Sequence, residues 1–196
     1  MQAADNRNTR RTRTSSADMR KRVLSAAGRV FSRTSYDEAG IREIAAMADT
    51  DPAIVMRLFG SKAALFEAVA EFAFAADDIF EGALETMGPR LASRLMALTA
   101  PLDDMDKVTS FQLMLRSAGS LTAAPILSSV MHRTLIEPLG RRIGGADGMM
   151  RAAMVTAHLH GFATLRFALA SRHIDSAGRD RATEHFAKLI QLCIDG

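Results

Sequence analysis

Two short apolar patterns separated by a three- to four-residue break constrain this chain more than any other feature. The first begins near Gly40 and carries Ile41, Ile44, Ala45 and Ala48 at helical spacing. The break Asp49-Thr50 follows. Asp51-Pro52 then reads as a helix start. The carboxylate can accept from free N–H groups, and proline suits the first helical position, where its missing N–H is no loss. This second pattern is short and ends by Phe59-Gly60, where glycine can supply a C-terminal cap. Two short helices around so tight a turn, spanning Gly40 to Phe59, have helix-turn-helix spacing. In that motif the first helix supports and the second enters a major groove with its N-terminal end. Ile44, Ala45, Ile54, Val55 and Phe59 would lock the pair inward, which leaves Arg42, Pro52, Ala53, Met56 and Arg57 facing out.

The rest of the chain also reads as helices, which makes the fold class all-α with about nine of them. Residues 1–15 are polar and basic without apolar periodicity, a flexible arm. A helix from about Ser16 to Ser32 places Val23, Ala27, Val30 and Phe31 on one face, with Ser16 as N-cap. Ser61 caps a fourth helix that runs to about Met87, with Leu65, Phe66, Val69 and Ala73 inward. Five more helices fall at about 89–99, 104–118, 124–139, 147–171 and 176–194. Pro89, Pro101 and Pro125 punctuate their boundaries, and Asp103-Asp104 favours a start. Gly144-Gly145 and Ser176–Gly178 read as turns. The chain then divides into the arm (1–15), a three-helix head that carries the helix-turn-helix (16–62) and a helical body (63–196).

Charge separates the same parts. Residues 1–62 hold 12 Lys/Arg against 7 Asp/Glu, and residues 63–196 hold 13 against 15. A basic head on a near-neutral body suits an anionic partner. With 48% apolar residues the chain has ample core material. Cys193 is the single cysteine, so an internal disulfide and a cysteine zinc cluster are both excluded. The N-terminus lacks the apolar segment of a signal peptide, and no run is apolar enough to span a bilayer. Together these lead to the expectation of a cytoplasmic protein with no membrane partner. Catalysis finds no support. His158 and His160 stand about 200° apart on a helix and cannot share a metal. No Ser-His-Asp grouping, phosphate loop or HExxH occurs, and Gly144–Gly148 follows no strand. No cofactor or metal is expected.

The stretch IREIAAMADTDPAIVMRLFGSKAALF resembles the DNA-binding motif of the TetR family of transcription regulators, with its "IA" helix, tight turn, short recognition helix and Phe-x-x-Lys. Val23, Ala27 and Phe31 extend the resemblance over residues 18–70. It is weaker in the body, where RSAGS (116–120) and Gly161-x-x-x-x-Arg166 are similar to an actinobacterial-type regulatory domain of the family. The resemblance implies double-stranded DNA as partner, bound through Arg42, Asp51, Pro52, Ala53, Met56, Arg57, Ser61 and Lys62. Arg42 is the best candidate to read a base, since a guanidinium spans guanine O6 and N7; a solvated surface arginine is the other reading of it. Lys62 meets a phosphate, and Pro52 and Ala53 suit a thymine methyl. Arg10, Arg11 and Arg13 would serve phosphates or a minor groove. Three positions depart from the pattern: Asp49 replaces a turn glycine, Met56 a phosphate-binding tyrosine, and Leu58 a His or Tyr. Asp tolerates positive φ better than most residues, whereas Met56 cannot donate to phosphate.

In the body the resemblance implies an apolar effector pocket. Its expected lining is Phe111, Met114, Leu115, Met131, Leu135, His158 and Phe162, with Arg116 and His132 as further polar groups. Ordinary core explains the same residues. Met105 and the neighbouring Met side chains fit either reading, since Met fills irregular space. Residues 147–171 are apolar or small nearly all round, and the last helix adds Phe186, Leu189, Ile190, Cys193 and Ile194. A helix apolar on every side wants burial on every side. By resemblance, residues 147–171 and 176–194 pair with a second copy as a four-helix interface. The expected function is a repressor released from a pseudo-palindromic operator by an apolar effector. The alternative is an apolar small-molecule sensor whose head no longer binds DNA.

Overall fold

A computed structural model gives the fold and describes residues 15–75, 80–97, 110–171, 173–174 and 178–196. The chain enters helix α1 (Ser16–Arg33) through Ser15, whose hydroxyl accepts the Asp18 N–H at 3.0 Å. Ser15 is therefore the N-cap, one residue before the Ser16 that the sequence reading favours. Two adjacent serines offer the same chemistry, and the one with extended backbone takes the role. Helix α2 (Ile41–Met47) follows, then α3 (Pro52–Phe59) and α4 (Lys62–Phe74). The local signals around α3 all act. Asp51 accepts from the Ala53 N–H, Pro52 opens the helix, and Gly60 closes it at φ 81°. Ser61 caps α4 through the Ala64 N–H.

The expectation that this fourth helix reaches Met87 is wrong. It ends at Phe74, and a 3-10 turn (Leu84–Thr86) leads into α5 (Met87–Ala97). No Gly or Pro marks the stop. Phe74, the last helical residue, is buried with its ring stacked on His160. Helix α6 (Ser110–Ser117) precedes α7 (Ala123–Met131). A π turn, His132–Ile136, then joins α7 to α8 (Glu137–Ile143), so one continuous rod outlasts the expected end near 139. Pro138 explains the widened turn. It has no N–H for the Thr134 carbonyl and its ring crowds that carbonyl, and the Glu137 N–H bonds back to His132 instead. The expected Gly144-Gly145 turn carries φ of 72° and 73° and leads into α9 (Gly148–Ala163). A second π turn (Thr164–Ala168) extends α9, and α10 (Arg179–Asp195) completes the chain. With α7 and α8 joined, nine rods stand among the described residues. The basic arm, the Asp103-Asp104 start, Met105 and Ser176 lie outside the described residues.

Two cores form. The head core joins α1 to α4 through Val23, Ala27, Phe31, Ile44, Val55, Leu65 and Phe66, and takes Leu113, Leu127 and Val130 from α6 and α7. Phe66 meets Phe31 and Tyr36 edge-on, with centroids 4.9 and 5.1 Å away, a geometry that favours aromatic pairs. The body core gathers Met87, Leu91, Leu139, Ala152, Val155, Phe186 and Ile190. There α5 and α10 touch at Gly88, whose N–H donates to Gln191 Oε1 at 2.9 Å. A Cβ on Gly88 would run into the Ala187 carbonyl oxygen. Leu135, in the π turn of the α7–α8 rod, packs against both cores.

Candidate nucleic-acid interface

The interface is built on α2 and α3, and α1 fixes them from behind. Ile44 and Ala45 of α2 and Val55 of α3 are buried, so each short helix is anchored by one or two side chains. Asp49 sits in the turn at φ 49°, the left-handed conformation for which the family pattern uses glycine. Arg22 of α1 donates to the Ala48 and Asp49 carbonyls, and its guanidinium lies 3.5 Å from the Asp49 carboxylate. Arg20, half a turn away, donates to the Leu58 carbonyl at 3.1 Å and stands 4.2 Å over the Phe59 ring. Guanidinium groups therefore hold the C-terminal ends of both helices, where carbonyls lack partners and the helix dipole is negative. The sequence reading did not single out Arg20 or Arg22. Their partners lie 38 and 26 residues away, and only the basic block at the start of α1 hinted at them.

The outward set is as expected in exposure. Arg42, Ala53, Met56 and Arg57 are exposed, and Pro52 is half-buried. Arg42 and Arg57 make no hydrogen bond or ion pair among the described residues, so both guanidiniums are available. Asp51 and Ser61 are exposed, but their oxygens are engaged as helix caps. Leu58 and Phe59 are half-buried against the head core, so Leu58 packs where the family pattern has His or Tyr. Lys62 begins α4. Its ammonium lies 3.4 Å from the Asp37 carbonyl oxygen and 4.7 Å from the centre of the Tyr36 ring. Burial, and then the Asp37 charge, push the Tyr36 phenol above its usual range.

The seven expected pocket residues do not converge as one set. Phe111 is buried at α6 and faces Phe167 of the second π turn at 6.2 Å, with Met114 half-buried one turn on. Leu115 is 44% exposed. Met131 and Leu135 pack partly against the head core. His158 and Phe162 face α10: His158 Nδ1 lies 3.9 Å from Cys193 Sγ, and Phe162 stacks on Phe186 at 4.2 Å. Sequence reasoning missed His160. Its Nδ1 is paired with the Thr156 carbonyl, its ring stacks on Phe74, and burial holds its imidazole below the usual pKa. It also missed the role of Arg166, which is buried and donates to the Leu95 carbonyl, while Arg179 takes that of Met96. These two guanidiniums cap the C-terminus of α5.

A small head with two short helices held at a fixed angle, on an all-helical body, defines a helix-turn-helix regulator. Residues 23–69 match the bacterial regulatory proteins of the tetR family, and residues 85–194 match the tetracyclin repressor-like C-terminal domain. The chain belongs to the TetR family and is a DNA-binding transcriptional regulator. No curated protein matches it. Among solved structures, a TetR-family regulator from Streptomyces coelicolor A3 is similar at a TM-score of 0.62 and 24% identity, over 91% of this chain and 95% of that one. NalD, the secondary repressor of the MexAB-OprM multidrug efflux pump in Pseudomonas aeruginosa, is similar at 0.64 and 16%, over 90% and 96%. A second Streptomyces coelicolor TetR-family transcriptional regulator gives 0.54 and 22%, over 87% and 78%. At these identities the likeness is one of fold.

Proposed function

We propose that the chain acts as a homodimeric repressor that reads a pseudo-palindromic operator and releases it when an apolar molecule occupies the body. The observation that carries the DNA part is the outward face of α3 and its neighbour. Arg42, Ala53, Met56 and Arg57 are exposed, and both guanidiniums are uncommitted. Arg42 reads a guanine edge, Pro52 and Ala53 meet a thymine methyl, and Arg57 and Lys62 hold phosphates. Asp51 and Ser61 set the ends of the helices that carry them.

Support for the dimer comes from α9. Met150, Met154, Ala157, Gly161 and Leu165 recur every three to four residues and are all exposed, and Leu189 and Leu192 of α10 are exposed too. An apolar stripe of this length on a water-facing helix wants a partner. Repression is supported by the fold shared with NalD. The Phe111–Phe167 pair supports an apolar effector, and a regulator of bacterial transcription works in the cytoplasm, where its DNA is.

Selection from a random duplex library tests the reading. The expected outcome is a pseudo-palindrome with half-sites about one helical turn apart, roughly 34–36 Å. Met56, which has no donor for phosphate, favours the sensor reading. A chain that enriches no duplex at low salt yet binds apolar dyes would establish that alternative instead.

A further inference from the structure

A polar contact between head and body leads straight to the expected phosphate ligand. Ser120 lies in the turn that closes α6 and is nearly buried. Its N–H bonds the Ser117 carbonyl, and its hydroxyl accepts from the Thr122 and Ala123 N–H groups at 3.3 and 3.2 Å. With those two acceptances in place, the one hydroxyl proton goes to Asp37 Oδ1 at 3.1 Å, across 83 residues of sequence. Asp37 stands between α1 and α2, and its carbonyl is the one that Lys62 Nζ approaches. Tyr36 supplies the ring beneath the same ammonium.

We propose that Ser120 is a positioning residue for the Lys62 phosphate contact and acts through Asp37. This rests on the DNA-binding reading above. The hydroxyl fixes the Asp37 carboxylate. That holds the Tyr36-Asp37 segment, whose ring and carbonyl steer the ammonium while leaving it two further N–H groups for a phosphate. A shift of the α6–α7 turn breaks the first bond and loosens the last. The body thereby sets how tightly the backbone of DNA is gripped, not which bases are preferred.

The test uses the full chain, the duplex it selects from a random library, and an unrelated duplex of equal length. Lys62→Ala is expected to weaken both and to lower the salt slope by about two per dimer, one phosphate from each protomer. Ser120→Ala should weaken both duplexes alike, by about threefold to tenfold, the size of one ordinary hydrogen bond, since the bond acts on DNA only through Asp37 and Lys62. The signature is the double mutant. In a Lys62→Ala background, Ser120→Ala should cost nothing further, since its path ends at Lys62. Ser120→Thr should keep wild-type binding, and Asp37→Ala breaks the same bond without touching the α6–α7 turn, which covers misfolding of the Ser120 variant. Additive losses in the double mutant, or Ser120→Ala and Asp37→Ala binding like wild type, overturn the inference and leave the DNA reading intact. A wild-type chain that selects no duplex overturns both.

Discussion

Single residues carry three separable tasks in this molecule. Arg42 is exposed on α2 and is the proposed base reader. Arg42→Ala should cost about 1–3 kcal/mol at the selected operator and relax preference at one base pair per half-site. Binding isotherms on singly substituted duplexes check this, and uniform weakening across all of them refutes it. Asp49 holds the turn at φ 49° with a short polar side chain and the Arg22 guanidinium close by. Asp49→Val puts a β-branched residue in that conformation and should lower stability by about 1–3 kcal/mol, read from urea midpoints. His160 is a pH-sensitive group. Its folded-state pKa lies below that of the unfolded chain because burial disfavours the imidazolium. The unfolded state therefore takes up a proton first as pH falls. The stability contributed by neutral His160 is complete above about pH 6.5 and is lost as pH drops toward the folded pKa. Thermal melts of wild type and His160→Gln should diverge in slope across this window, with the variant flatter.

Elements were legible in the sequence where their ends are set by neighbours along the chain. Asp51-Pro52, Gly60 and Ser61 each bond or bend backbone within three residues, so α3 and the start of α4 follow from local chemistry. The end of α4 does not. Residues 62–81 contain no Gly or Pro to mark a stop, and the last helical residue, Phe74, packs on His160, 86 residues further on. The Arg20 and Arg22 clamps, the choice of His160 over His158 as the enclosed histidine, and the Arg166 cap on α5 escaped for the same reason. Each depends on which helix faces which. Contact between α5 and α10 gives a test at this scale. Gly88→Ala forces a methyl against the Ala187 carbonyl and should cost about 1–3 kcal/mol, since the two backbones have little room to part. Gly161→Ala, in open space on α9, should instead raise protomer stability by about 0.5–1 kcal/mol, since alanine loses less backbone entropy in a helix.

At the scale of the whole molecule the exposed stripe on α9 is the proposed dimer surface. Met154→Glu and Leu165→Glu place charges within it and at its end. Light scattering should then report a 21.2 kDa protomer where the wild type gives twice that mass. A wild type that already scatters as a protomer refutes the dimer. The Arg42 and Lys62 pairs would then act singly, and the operator would lose its two-fold symmetry. The rod made of α7, the π turn and α8 has its own consequence. Val130 lies in the head core, Leu139 lies in the body core, and Leu135 between them packs on both. Neither core can melt without fraying a helix that the other needs. Calorimetry should therefore show one endotherm rather than two, with the head unable to unfold and refold as an independent unit.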